Sequence, residues 1–137
     1  MEKRDYLLQE IEKIGILLRM ILNKITLRGE NNAISLENQF EEEKELLINE
    51  IGFNIDEFLS LETSEIEDYL SKFSGVRGSN IELLADVLKE IGMKGENKMS
   101  KAYLKKALKL YEQCNSLDKT YSFDRESKIE EIKNILH

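Results

Sequence analysis

Residues 79–115 constrain this chain more than any other stretch, because they read as two apolar-striped helices joined by the polar break Gly92-Met93-Lys94-Gly95-Glu96-Asn97. Ser79-Asn80-Ile81-Glu82 has the form of a capping box: the serine hydroxyl takes an amide of the first turn, and the glutamate three residues on reaches back to the cap amide. The first helix then carries Leu84, Val87, Leu88 and Ile91. The second begins at Met99, with Tyr103, Leu104, Ala107, Leu110, Tyr111 and Cys114 on one face. A connection this short leaves two helices no arrangement but antiparallel. The pair is a scaffold and carries no chemistry of its own.

The remaining segments are helical too, punctuated by glycine and free of proline. The spacing predicts a first helix over 5–28 stopped by Gly29, with Leu7, Ile11, Ile14, Leu18, Ile21 and Ile25 recurring at three and four on a core face. A second set, Ile16, Met20 and Leu27, points to nearly the opposite side, with Tyr6 and Leu17 beside it. A helix that is apolar on two sides needs two neighbours. Either other helices of the same chain cover the second stripe, or it is an oligomer interface.

After a polar loop over 30–35, Ser35 is placed to cap a helix running to Ile51. Leu36, Phe40, Leu47 and Ile51 form its buried side, Gly52 its stop, and Glu41-Glu42-Glu43-Lys44-Glu45 its solvated side. Asn54 opens a short helix over 55–61 that buries Phe58, Leu59 and Leu61. Ser64-Glu65-Ile66-Glu67 reads as a second capping box, starting a helix through Phe73 that Gly75 ends. Residues 76–79 look like a connector between an amino-terminal half, 1–75, and a carboxy-terminal half, 79–137, the two packed as one domain. Arg77, bracketed by glycines, suits a plain connector better than an anion site, since the phosphate-loop spacing and its lysine are missing. Residues 117–123 lead to a last helix with Ile129, Ile132 and Leu136 on its apolar face and Ile135 off to the side. Tyr121 and Phe123 are expected to staple its start against the hairpin.

The hairpin, with Leu84, Val87, Leu88 and Ile91 in one helix and Leu104 followed by Ala107-Leu108 in the other, resembles one tetratricopeptide unit of about 34 residues. It covers roughly a quarter of the chain. Four positions depart from that family's pattern: Leu88 stands where it has a small residue, Ile91 where it has an aromatic, Ser100 where it has alanine and Glu112 where it has proline. The chain as a whole also resembles small bacterial helical proteins of that kind. The resemblance implies a protein-binding scaffold with no catalytic residues, and a last helix that caps the exposed end of the hairpin. The expected fold is therefore all-α, a compact antiparallel bundle of six or seven helices ending in a tetratricopeptide-like hairpin plus a capping helix.

Composition narrows the functional classes. A chain of 137 residues with 41% hydrophobic residues buries enough surface to fold without a disulfide or metal. Its one cysteine, Cys114, shares a helical face with Leu110 and Tyr111 and reads as a small buried hydrophobe. The single histidine, His137, is the last residue, which leaves no Cys-His pair or histidine metal site within one chain. No cofactor or metal is expected. The amino terminus mixes charges of both signs and has neither a secretion signal nor a membrane span, so a cytoplasmic setting is the expectation.

Net charge is −7, but residues 37–68 hold twelve acidic side chains and one basic, whereas residues 69–137 hold thirteen basic and ten acidic. Lys98, Lys101, Lys105 and Lys109 form a stripe on the second hairpin helix, opposite its apolar face. It is either a solvated face or the contact for an acidic partner, which includes the acidic middle of another copy. The favoured function is a non-catalytic helical interaction module or oligomer subunit. Binding to nucleic acid or an anionic surface through the lysine stripe is an alternative, opposed by the acidic segment and the lack of interleaved aromatics. A small enzyme relying on carboxylates comes last, because that chemistry needs a carboxylate in an apolar pocket.

Overall fold

The computed structural model describes residues 3–27, 40–94, 99–118 and 121–136, and among them the chain is all-α, with seven helices, one 3-10 turn and no strand. Expectations that fall on Gly29, Ser35, Leu36, Lys98 and His137 lie outside the described residues. The helices are α1 (Lys3–Leu27), α2 (Glu41–Ile51), α3 (Ile55–Ser60), α4 (Ile66–Leu70), α5 (Ser79–Lys94), α6 (Ser100–Leu117) and α7 (Phe123–Leu136), with the 3-10 turn Thr63–Glu65 ahead of α4.

α5 is the axis of the bundle. Its buried residues, Ile81, Leu84, Ala85, Val87, Leu88, Lys89, Ile91 and Gly92, leave little of its circumference to water, as a helix with neighbours on several sides requires. α1 lies along it in parallel. The Asn80 side-chain amide donates to Ile11 O at 2.8 Å near both amino-terminal ends, and Lys94 Nζ donates to Ile25 O at 2.6 Å near both carboxy-terminal ends. Lys94 thereby sits on carbonyls of the last turn of α1, where a cation also meets the negative end of the helix dipole.

α6 returns antiparallel to α5 through the short 95–99 connection. Gly92, expected in the turn, is instead inside α5. A Cβ there would meet Leu104 Cγ at 2.8 Å and Ser100 O at 3.1 Å, so its missing side chain is what lets the two helices approach. The small residue that a close crossing needs is present, one turn beyond Leu88.

Between α1 and α5 the chain folds a smaller layer. Gly52, at φ 78°, ends α2 in a left-handed cap, with its N–H on Ile48 O and that of Phe53 on Leu47 O. Asn54 caps α3 by accepting the Glu57 N–H at 3.0 Å. Four rings, Phe53, Phe58, Tyr69 and Phe73, then pack with centroids 5.2–5.8 Å apart. The second capping box is displaced from Ser64 and Glu67 to Glu62 and Glu65, whose carboxylate accepts the Glu62 N–H at 2.9 Å. The first turn here is 3-10, starting at Thr63, which moves the cap two residues back. α4 ends at Leu70, and single turns carry the chain to Val76.

Residues 75–80 are pinned to α1. A Cβ on Gly75 would meet Glu10 O at 2.7 Å, and Asn80 bridges Ile11 O and Gly75 O at 2.8 Å each. One apolar core runs from Ile14 through Phe53, Leu84 and Leu104 to Ile132. Glu43, placed with the solvated charges of α2, is fully buried, one turn before Leu47 on that helix's inner face. Its register outweighs its charge.

Candidate functional surfaces

The outer face of α1 is the first surface. Ile14, Leu18, Ile21 and Ile25 are buried, whereas Ile16 is 58%, Met20 42% and Leu27 84% exposed, with Tyr6 exposed beside them. Leu17, grouped with the second stripe from sequence, belongs to the core. Among the described residues, no other helix covers Ile16, Met20 and Leu27.

The lysine stripe is the second. Lys101, Lys105 and Lys109 are exposed on α6, opposite buried Tyr103, Leu104 and Ala107, while Lys98 lies outside the described residues. Lys109 pairs with Glu112 at 3.7 Å. Lys106, between them in sequence, turns the other way and donates to Leu61 O at the end of α3. Beside Lys109 an open groove of about 430 Å³ carries the hydroxyls of Thr63, Ser64 and Ser116 and the amide of Gln113.

The third is a set of charges under α7. Arg125, 7% exposed, donates from Nε to Glu82 at 2.8 Å and from Nη1 to Asn115 at 3.0 Å, and it lies 3.4 Å from Asp118. Lys128 stands 2.9 Å from Asp86, 3.1 Å from Asp124 and 3.2 Å from Glu82. Tyr111 donates its hydroxyl to Asp86, and Lys89 pairs with Glu131 at 3.0 Å. Burial alone would lower the Lys128 pKa, but Asp86, then Asp124 and Glu82, outweigh it and hold the ammonium well above the ordinary lysine range. Burial, reinforced by Asp86, drives the Tyr111 phenol far above the usual tyrosine value. Burial also pushes the Cys114 thiol up to about 11, against the opposing charge of Arg125.

Glu82 and Asp86 line a shallow open hollow of about 240 Å³ together with Arg19, Ser79 and Leu83. Two carboxylates at one hollow is the arrangement an acid–base enzyme would use. Here each accepts from cations of α7, so the pair holds a helix in place. Glu82 thereby serves a tertiary contact between α5 and α7. Among the described residues, no three His, Cys, Asp or Glu side chains converge as a metal-binding group.

No known protein family, curated protein or solved structure matches this chain. Its surfaces must therefore be judged on their own chemistry.

Arg125 was missed from sequence although a signal existed. It precedes Ile129, Ile132 and Leu136 at spacings of four, three and four, so it occupies a core position of α7. Tyr121 and Phe123 do not staple α7 to the hairpin. They stack edge to face on each other at 4.9 Å and stay exposed, because Arg125 and Ser122, whose hydroxyl accepts the Arg125 N–H at 3.2 Å, form that end of the helix instead. Among the described residues no helix is long and apolar enough to cross a membrane.

Proposed function

We propose that this chain is a non-catalytic helical module that works by holding another protein against its outer surface. The observation that supports this reading is the exposed stripe Ile16, Met20 and Leu27 on a helix whose opposite face buries Ile14, Leu18, Ile21 and Ile25. The internal charges fit the same reading, since Glu82, Asp86, Arg125 and Lys128 are engaged with one another. The tetratricopeptide-like hairpin acts as the frame, and the reducing cytoplasm suits its buried lone thiol.

Binding of the tagged protein to a candidate partner tests this, comparing wild type with Met20→Glu and with Lys101→Glu/Lys105→Glu/Lys109→Glu. Loss of binding in Met20→Glu is expected, with the circular dichroism spectrum unchanged. Binding unaffected by either change would overturn the proposal. The second reading, an anionic polymer or membrane headgroup, is favoured by one observation: Lys101 and Lys105 are exposed on one helix face. Retention on heparin with a steep salt dependence, lost in the triple lysine variant, would move the assignment to that class.

A further inference from the structure

The charges between α5 and α7 form a ladder. Glu82, Asp86 and Lys89 step along one side of α5 at spacings of four and three, and Arg125, Lys128 and Glu131 step along α7 at three and three. Arg125 meets Glu82 at 2.8 Å, Lys128 meets Asp86 at 2.9 Å and Lys89 meets Glu131 at 3.0 Å, so α7 runs parallel to α5 with the rungs a turn apart. The order on α5 is acid, acid, base, and on α7 it is base, base, acid. A helix laid the other way round would set Glu131 against Glu82 and Arg125 against Lys89, which are like-charge contacts. The face under α7 therefore selects both the direction of a helix and its order of charge.

Apolar contact holds α7 less firmly than it holds α5. Ile129 and Ile132 are the buried apolar side chains of α7, with Phe123 and Ile135 exposed near its two ends, whereas α5 buries Ile81, Leu84, Val87, Leu88 and Ile91. The face beneath α7 stands without it. Leu104 packs where Gly92 lacks a side chain, and Tyr111 donates its hydroxyl to Asp86, so α5 and α6 are joined by contacts in which α7 has no part. Glu82 and Asp86 also border the open hollow beside Arg19, so lifting α7 returns them to water instead of stranding buried charge.

We infer that α7 is a releasable strap seated in a helix-binding groove of α5 and α6, and that the groove takes in its place an amphipathic helix of a partner protein. That helix carries the charge order of α7, two cations and then an anion at successive turns, with an apolar residue after the second cation and after the anion. Strap and partner exclude each other, so the strength of the strap sets the threshold for binding. The groove shares no residue with the α1 stripe, and its occupancy does not depend on that stripe's role.

Fluorescence anisotropy of a labelled peptide of residues 121–136, added to the full chain, tests this. Glu131→Lys, a change at a largely exposed side chain, sets a second cation against Lys89, and Lys128→Glu sets a third carboxylate against Glu82 and Asp86. Each variant, with its circular dichroism matching wild type, is expected to bind the peptide with a dissociation constant at least about 10-fold below that of wild type, because its own α7 no longer competes. The same peptide carrying Arg125→Glu/Lys128→Glu should bind none of the three proteins. Equal affinity of the variants and wild type for the first peptide overturns the strap, and equal affinity for the two peptides overturns the reading of charge order. In wild type, exchange of the α7 amides should rise with urea at less than about half the slope of the α5 amides, as a local opening does. Coincident slopes would mean that α7 leaves only when the whole molecule unfolds, which overturns the strap without recourse to any variant.

Discussion

At Gly92 the absence of one carbon decides how two helices cross. Adding it would place a methyl 2.8 Å from Leu104 Cγ and against the Ser100 carbonyl. Gly92→Ala is therefore expected to destabilise by about 1–3 kcal/mol, even though alanine is the better helix former. Chemical denaturation read by circular dichroism checks this, and a neutral or stabilising result would show that α6 yields easily. Cys114 gives a second expectation. With its thiol pushed up to about 11, its reaction with iodoacetamide at neutral to mildly alkaline pH should run about 100-fold or more below that of the unfolded chain, because only the thiolate attacks. Timed mass spectrometry with and without denaturant measures that ratio. Single residues were legible where period and chemistry agree, as at Ile14, Leu18, Ile21 and Ile25. Where the two conflict, sequence misleads: Glu43 and Arg125 occupy inward positions that their charge argues against, and Gly92 lies inside a helix although glycine usually marks a turn.

Among the elements, α7 stands apart in how it is held. Ile129 and Ile132 are its buried apolar residues, Arg125, Lys128 and Glu131 supply ionic contacts to α5, and Arg125 also donates to Asn115 of α6. Lys128 and Tyr111 both have their pKa raised by folding. The stability they contribute is fully present below their unfolded values, near about 10, and is lost as pH rises above them, because the unfolded chain releases protons that the folded one keeps. Thermal stability should thus decline above about pH 10, more steeply in wild type than in Lys128→Met/Tyr111→Phe. Parallel melts across that range are the check, and identical slopes would assign the alkaline loss elsewhere. Hydrogen exchange at neutral pH should show α7 opening before α5, since few buried apolar contacts secure it. Element positions were readable from glycine stops and apolar spacing. The 3-10 start of α4 was not, because Ser64 and Glu67 fit a box that local geometry places at Glu62 and Glu65.

For the molecule as a whole, the telling feature is that the connector over 75–80 is bonded to α1, and that residues on both sides of it share one core. Unfolding should be a single cooperative transition. Ile21→Ala, in the contact of α1 with the rest, is expected to lower stability by about 2–4 kcal/mol and to shift helical and aromatic signals together. Two resolved transitions would mean that 1–75 and 79–137 unfold separately. The fold class was legible because every segment carries a helical period. The parallel course of α1 and α5 was hidden, since it depends on how the layer of Phe53, Phe58, Tyr69 and Phe73 carries the chain back. The absence of tryptophan combines with the Tyr111 hydroxyl held on the Asp86 carboxylate to give the protein an optical reporter of its own state. Ultraviolet emission here comes from five tyrosines, and a phenol bound to a carboxylate is quenched. The native protein should be the dimmer form, brightening as Asp86 lets go.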